Sequence, residues 1–254
     1  MAQTLPLLAI DGAHDEGGGQ LLRTAVALAA ITGRSIAVGN IRAKRKQPGL
    51  APQHRAAVAA VAALCDARVT GLALRSGSLT FSPGNLHGGR YRFDIGTAGS
   101  VTLVLQALLP TMVACGQRAT VTVVGGTDVP AAPPLDYFRN VMLALLARIG
   151  IDTELSVRRR GYFPRGGGEV TLAVGRSRLR QVEFLDAGRL RRIGGLAHVA
   201  GIDPEVAHRI RGAFVAGLAA RMPIAPAMDV AALSSEDAAG SGGAIVAWAD
   251  TEHA

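Results

Sequence analysis

Cysteine is scarce in this chain of 254 residues: Cys65 and Cys115 are the only two. Each sits in an Ala- and Val-rich run, where a thiol reads as a small buried hydrophobe. No disulfide framework follows, and a reducing, cytoplasmic compartment is expected. Acidic residues are short too: 19 Asp and Glu face 27 Lys and Arg, a formal charge of +8. That surplus favours a polyanionic partner, whether nucleic acid, nucleotide or anionic lipid, without choosing among them. Long apolar runs are missing. The oiliest stretches, about Ala56 to Cys65 and Val101 to Cys115, are short or interrupted by Thr, Gln and Pro. Neither is expected to span a bilayer, so no membrane partner is expected. The opening Met-Ala-Gln-Thr-Leu-Pro carries no basic region and no long apolar stretch, so no signal peptide is read there.

What is present is apolar and repetitive. The chain is 49% hydrophobic and 18% charged, which excludes a disordered polymer and allows one large domain or two smaller ones. One unit opens at Gly17-Gly18-Gly19. It runs through an apolar helix (Leu21 to Ile31), Gly33 and a strand (Ser35 to Val38). A loop then leads to Pro52 and a helix from about Gln53 to Leu64. A second unit opens at Gly96-Thr97-Ala98-Gly99. It repeats the order with a helix from Val101 to about Val113, Gly116, a strand (Ala119 to Val124), Pro133-Pro134 and a helix from Leu135 to Ile149. Gly19 to Gly99, Gly33 to Gly116 and Pro52 to Pro134 are offset by 80, 83 and 82 positions. The expected fold class is α/β (α+β), with duplicated βαβα-type lobes that each lay two helices on a small sheet.

Composition changes near Arg176. Residues 177 to about 222 are Arg-rich, and Asp203-Pro204-Glu205 reads as the start of a helix reaching about Arg221. Residues 236–243 are small and flexible in character, and Ala244 to Ala249 reads as a strand. The region looks like a small inserted α/β domain.

Four segments could carry chemistry. Asp11-Gly-Ala-His-Asp-Glu-Gly-Gly-Gly-Gln20 leads from a strand into a helix, and its open N–H groups suit phosphate. Glu16 would oppose a bare phosphate unless a divalent cation lay between them; a tight β–α turn explains the segment as well. Ile41 to Leu50 places four cations within five positions on a loop pinned by Pro48-Gly49. Arginine there suits phosphate, and a solvated charge run is the plain alternative. Gly125 to Phe138 sits where a strand ends and a helix begins. There Asp128 and Asp136 could orient metal or ribose, and Pro133, Pro134 and Tyr137 could pack on a purine. Asp136 is equally an early-helix carboxylate favoured by the dipole. Arg160 to Glu169 mixes glycine, aromatics and arginine, which fits a nucleic-acid end or a simple hairpin.

Together these segments resemble the RNA 3′-terminal phosphate cyclase family. The motifs are DGAHDEGGGQLLRTA, IRAKRKQPGLAPQH, GTAGSVTLVLQALLP, GGTDVPAAPPLDYF and GYFPRGGGEV, in the family's order over roughly residues 7 to 172. The resemblance implies three repeats plus a small insert. On that plan residues 1–176 form a large domain of two repeats, 177–240 the insert and 241–254 the start of a third repeat. It implies ATP and a Mg or Mn cation as cofactors and RNA 3′ ends as partners. ATP adenylates a histidine, AMP passes to the RNA 3′-phosphate, and the 2′-hydroxyl closes a 2′,3′-cyclic phosphate. By motif match Glu16 would hold the metal. Arg23, Arg42, Arg45 and Gln53 would contact RNA or nucleotide phosphates. Gln106, Asp128, Pro133, Pro134 and Tyr137 would form the nucleotide pocket.

Departures from the pattern are Val129, in place of the usual Asn, and His14-Asp15, in place of a smaller pair. The resemblance puts the nucleophilic histidine in a third repeat beyond residue 254. None of His14, His54, His87, His198, His208 and His253 sits in a similar context, so no catalytic residue is assigned within the chain. A homodimer or a partner chain supplying that lobe, or its loss, all stay open. So does a non-catalytic RNA-binding or rRNA-processing role, as in the family's inactive branch, although Glu16, Arg42, Arg45 and Gln106 together favour the catalytic one. A third reading, kinship of fold alone to enolpyruvyl-transferase-type proteins, is opposed by the basic loop.

Overall fold

Both repeats open on a parallel β–α–β unit, in a computed structural model that describes residues 6–15, 17–219, 221–222 and 224–253. In the first, β1 (Leu8–Asp11), α1 (Gly19–Thr32), β2 (Ile36–Gly39), α2 (Pro52–Leu64), β3 (Arg68–Thr70) and β4 (Leu79–Ser82) give a sheet of order β1-β2-β4-β3. In the second, β5 (Gly89–Asp94), α3 (Val101–Cys115) and β6 (Ala119–Gly125) are followed by a helical stretch and by β7 (Thr153–Gly161) and β8 (Gly168–Val174). The glycines expected to close the first helix of each unit do so. Gly33 and Gly116 take φ +66° and +67°, a left-handed turn that other residues enter at a cost.

The helix expected as one run from Leu135 to Ile149 is subdivided. α4 (Leu135–Tyr137) widens into a π-helical segment (Phe138–Leu143) and resumes as α5 (Ala144–Arg148). Sequence periodicity does not register one extra residue in a turn, and such bulges gather near functional sites.

The two repeats share one core. Leu22 and Val26 of α1, Val58 and Val61 of α2, and Val104, Leu105 and Leu108 of α3 are buried in it with residues of both sheets. The helices of the two repeats therefore pack on one another as well as on their own strands.

The residues after β8 build a third sheet, three-stranded and of order β10-β9-β12, from β9 (Leu190–Ala200), β10 (Ala227–Leu233) and β12 (Gly242–Thr251), with α6 (Glu205–Ala219) against it. A border at residue 240 does not divide this unit. β12 pairs antiparallel with β9 along nearly its whole length, so the segment read as the start of a third repeat lies in the insert's sheet. Between them β11 (Ala238–Ala239) crosses back to pair with β7, making the second sheet β11-β7-β8-β6-β5. No described helix is long and apolar enough to cross a membrane.

Candidate active site

The Gly-rich loop after β1 and the basic loop after β2 are clasped together. Asp11 Oδ1 accepts hydrogen bonds from Ala13 N (3.0 Å) and Asn40 Nδ2 (3.1 Å), and Lys44 Nζ donates to the Asp15 carbonyl at 2.8 Å. The first two bonds hold the Asp11 carboxyl below its ordinary pKa. Asn40 and Arg42 take φ +50° and +53°, a left-handed conformation that Asn tolerates and that is costly for Arg42. The turn is enforced by Ile41, buried between them, and by the Arg42 Nη1 donation to the Gly49 carbonyl at 2.9 Å. The result brings the Arg42 charge to bear on His54 and sets Arg45 Nη2 against Gly18 at the N-terminus of α1. There Gly18 offers no capping side chain and no acid occupies the first turn, so the N–H groups remain available to an anion.

Arg23 and His54 complete the cluster. Arg23 is 8% exposed, and burial pushes its pKa down. Neither Arg23 nor Arg42 has an ion pair with a described carboxylate. Burial and the Arg45 charge also lower Arg42. His54 Nδ1 accepts the Ala51 N–H at 3.2 Å, leaving its proton on Nε2 toward Gly19. Burial first, then the Arg42 and Arg23 charges, depress the imidazole to about 4, so it is neutral near pH 7.

Two adjoining cavities open beside these groups. One, of about 310 Å³, is lined by Gln20, Arg23, Thr24 and Gln106. The other, of about 560 Å³, is lined by Gly17, Gly18, Gln20 and Arg45. Pro110 lies inside α3. It has no N–H for the carbonyl four residues back, so the Gln106 carbonyl lacks its helical donor. The Gln106 Nε2 approaches Met142 Sδ at 3.9 Å, tying α3 to the π-helical segment. Gln53 reaches the second repeat, where its Oε1 accepts the Ser100 N–H at 3.1 Å.

Arg23, Arg42, Arg45, Gln53 and Gln106 are thus gathered around α1 and the N-terminal half of α3. Glu16, the expected metal ligand, lies outside the described residues. Pro133 presents its carbonyl to Thr102 Oγ1 at 2.8 Å, Pro134 precedes α4, and the Tyr137 ring is exposed beside it. Asp128 is placed differently: it turns inward.

Nothing local in the sequence marks where Asp128 goes. Arg160, 7% exposed, donates from Nη1 to Asp128 Oδ2 at 3.0 Å and from Nη2 to Asp136 Oδ1 at 2.8 Å. Burial works against its charge, yet the Asp136 bond and both carboxylate charges outweigh that and raise its pKa. Nη1 also meets His198 Nε2 at 3.1 Å, and Tyr162 Oη lies 2.7 Å from His198 Nδ1. A guanidinium can only donate, so Nε2 accepts and the imidazole proton sits on Nδ1, toward Tyr162. Burial and the Arg160 charge lower His198, and burial raises the Tyr162 phenol. Asp128, Asp136 and His198 bring three metal-type ligand atoms within 4.8 Å, but the counter-cation in that space is Arg160. The network joins the insert, through His198 of β9, to the large domain. Its long-range pairing leaves no periodic signal; the run Arg158-Arg159-Arg160 entering GYFPRGGG was the available hint.

The fold is a duplicated α/β assembly with a basic, anion-accepting site, and comparison with known proteins gives its family. The family model for RNA 3′-terminal phosphate cyclase matches residues 14–249. An RNA 3′-terminal phosphate cyclase of Nitrosospira multiformis is 51% identical over 245 residues, covering 96% of this chain and 69% of that protein. Its counterpart from Hyperthermus butylicus is 45% identical, covering 97% and 70%. That from Pyrococcus furiosus is 43% identical, covering 97% and 71%. The chain belongs to the RNA 3′-terminal phosphate cyclase family.

Proposed function

We propose that this chain binds RNA ending in a 3′-phosphate and serves its ATP-dependent conversion to a 2′,3′-cyclic phosphate. One observation carries the reading. Arg23 is buried near an uncapped helix start, and its charge and that of Arg42 both bear on a neutral His54, with no described carboxylate paired with either arginine. Such an arrangement is incomplete until an anion fills it, and a terminal phosphate carries the charge and acceptor oxygens to do so.

The residues present also fit a nucleotide's phosphates: the cavity against Gly17, Gly18 and Arg45 combines open backbone, a guanidinium and a helix N-terminus. ATP, when bound, supplies the activated group that makes the terminal phosphorus electrophilic. The chain's own part is to bind and orient. Arg42 and Arg45 would neutralise the phosphate and Gln53 would fix the loop above it. Gln106 would meet the nucleotide, and the neutral His54 would leave the arginine charges undiluted. A divalent metal belongs with Glu16 in this reading.

The test uses RNA whose 3′-phosphate is radiolabelled, with ATP and Mg²⁺ or Mn²⁺. Cyclisation makes the label resistant to phosphatase. Resistance that depends on ATP and is lost in Arg42→Ala supports the reading. A protein that prefers 3′-phosphate over 3′-hydroxyl RNA without conferring resistance is a binding protein of the same family. Absence of both the preference and the resistance sinks the proposal.

A further inference from the structure

Beyond Tyr162, the tip joining β7 to β8, residues 163–167, takes no part in the site above. Its Phe163 is 68% exposed. Arg165, two positions on, is also exposed and has no hydrogen bond or ion pair among the described residues. Arg159 donates from Nη2 to the Gly167 carbonyl at 3.1 Å, while its Nε is buried without a partner. The two arginines line a pocket of about 260 Å³ whose other walls include Ser234, Ser235, Ser241 and Gly240. No carboxylate lines it, and the nearby Asp237 is taken up by Ser234 Oγ at 2.6 Å. A side chain on Gly240 would come within 3.3 Å of Arg165 Cβ, so the glycine leaves the arginine room.

A buried guanidinium N–H without an acceptor is costly. Beside a second arginine and the hydroxyls of Ser235 and Ser241 it selects an anion with several oxygens, such as phosphate. The exposed Phe163 ring adds a stacking face. Phosphate contact next to an aromatic face suits a single nucleic-acid strand better than a free anion.

The pocket is also connected to the candidate active site. Gly99 packs against the Gln53 side chain, and Gly126 N donates to the Gly99 carbonyl at 2.8 Å. A side chain on Gly166 would meet Ala98 Cα at 2.8 Å, and Arg165 follows in the other direction along the chain. An unbroken row of small-residue loops thus runs from the basic cluster to the pocket.

We propose that Arg159, Arg165 and Phe163 hold the RNA strand upstream of its 3′ end, the arginines on a backbone phosphate and the ring on a base. The inference rests on the proposed function only for the polarity of the strand.

The experiment measures binding of a fluorescent decanucleotide RNA with a 3′-phosphate, the same RNA with a 3′-hydroxyl, and a 3′-phosphorylated dinucleotide. The unaltered protein is compared with Arg165→Ala, Phe163→Ala and Arg42→Ala. Both tip residues are exposed, so folding is not at stake, and melting temperatures check this. Arg165→Ala and Phe163→Ala should each weaken both decanucleotides, Phe163→Ala by about tenfold, and leave the dinucleotide unchanged. Arg165→Ala alone should flatten the slope of log affinity against log salt, by about 0.7. Arg42→Ala should weaken only the 3′-phosphorylated RNAs. If the protein ignores the terminal phosphate but the tip variants still weaken both decanucleotides, the proposed function fails and the strand site stands. Unchanged decanucleotide affinity, or equal losses for both lengths, overturns the strand site. Should thermal stabilisation by inorganic phosphate vanish in Arg165→Ala while RNA affinity does not move, the pocket takes a free anion and the proposal is wrong.

Discussion

Arg23 and Arg160 are the same residue at nearly the same exposure, 8% and 7%, and their surroundings drive them in opposite directions. Two carboxylates surround Arg160 and its pKa rises; no described carboxylate pairs with Arg23 and its pKa falls. A buried cation with its counter-charges built in belongs to the architecture. A buried cation without them costs stability, and the fold tolerates it where a ligand brings the missing charge. Buried arginine alone therefore says little about function; the carboxylates around it decide.

The sharpest way to break this comparison is to remove each arginine. Arg160→Met leaves Asp128 and Asp136 facing each other unbalanced and should cost about 3–5 kcal/mol in urea unfolding. A variant as stable as the parent would refute the architectural role of Arg160. Next in size is pH. His54 falls from its ordinary 6.5 to about 4 on folding. The unfolded chain thus binds a proton that the folded chain refuses, and stability is lost as pH drops from 6.5 toward 4. The full effect is about 3 kcal/mol. His54→Asn should flatten that slope in urea titrations; His198 and, toward the acid end, the Asp11 and Glu169 carboxyls, all depressed in the same direction, carry the residual slope. Arg42→Ala, which removes a cation from the unbalanced cluster, should weaken 3′-phosphate RNA by about tenfold to a hundredfold, about 1.5–3 kcal/mol. Fluorescence anisotropy against the 3′-hydroxyl RNA measures it. Arg23→Met should be the mildest in stability, within about 1 kcal/mol of the parent or better, because an unpaired buried charge is replaced by a thioether chain. A loss like that of Arg160→Met would show Arg23 to be structural.

Much of the repeat could be read from the sequence because its markers are local. Gly33 and Gly116 close their helices with nearly identical φ, and Pro52 and Pro134 stand at the starts of equivalent helices. The basic loop could be read too, since four neighbouring cations need no tertiary information. What could not be read depends on distance along the chain. Asp128 reads as a ligand until Arg160, 32 positions on, turns it inward. His198 meets Tyr162 across 36 positions, and β12 pairs with β9 across the whole of α6. The widening of the helix at Phe138 was hidden for another reason: its apolar pattern continues across the bulge.

The shared core has a consequence for how the molecule comes apart. Two sequence units that look separable are bound through α1, α2 and α3 into one apolar mass, so neither keeps a protected interior without the other. Heat or denaturant meets them as one cooperative block, and the slowest-exchanging amides of both repeats should open together. The duplication stays legible as two units in the alphabet of the chain, while for unfolding it counts as one.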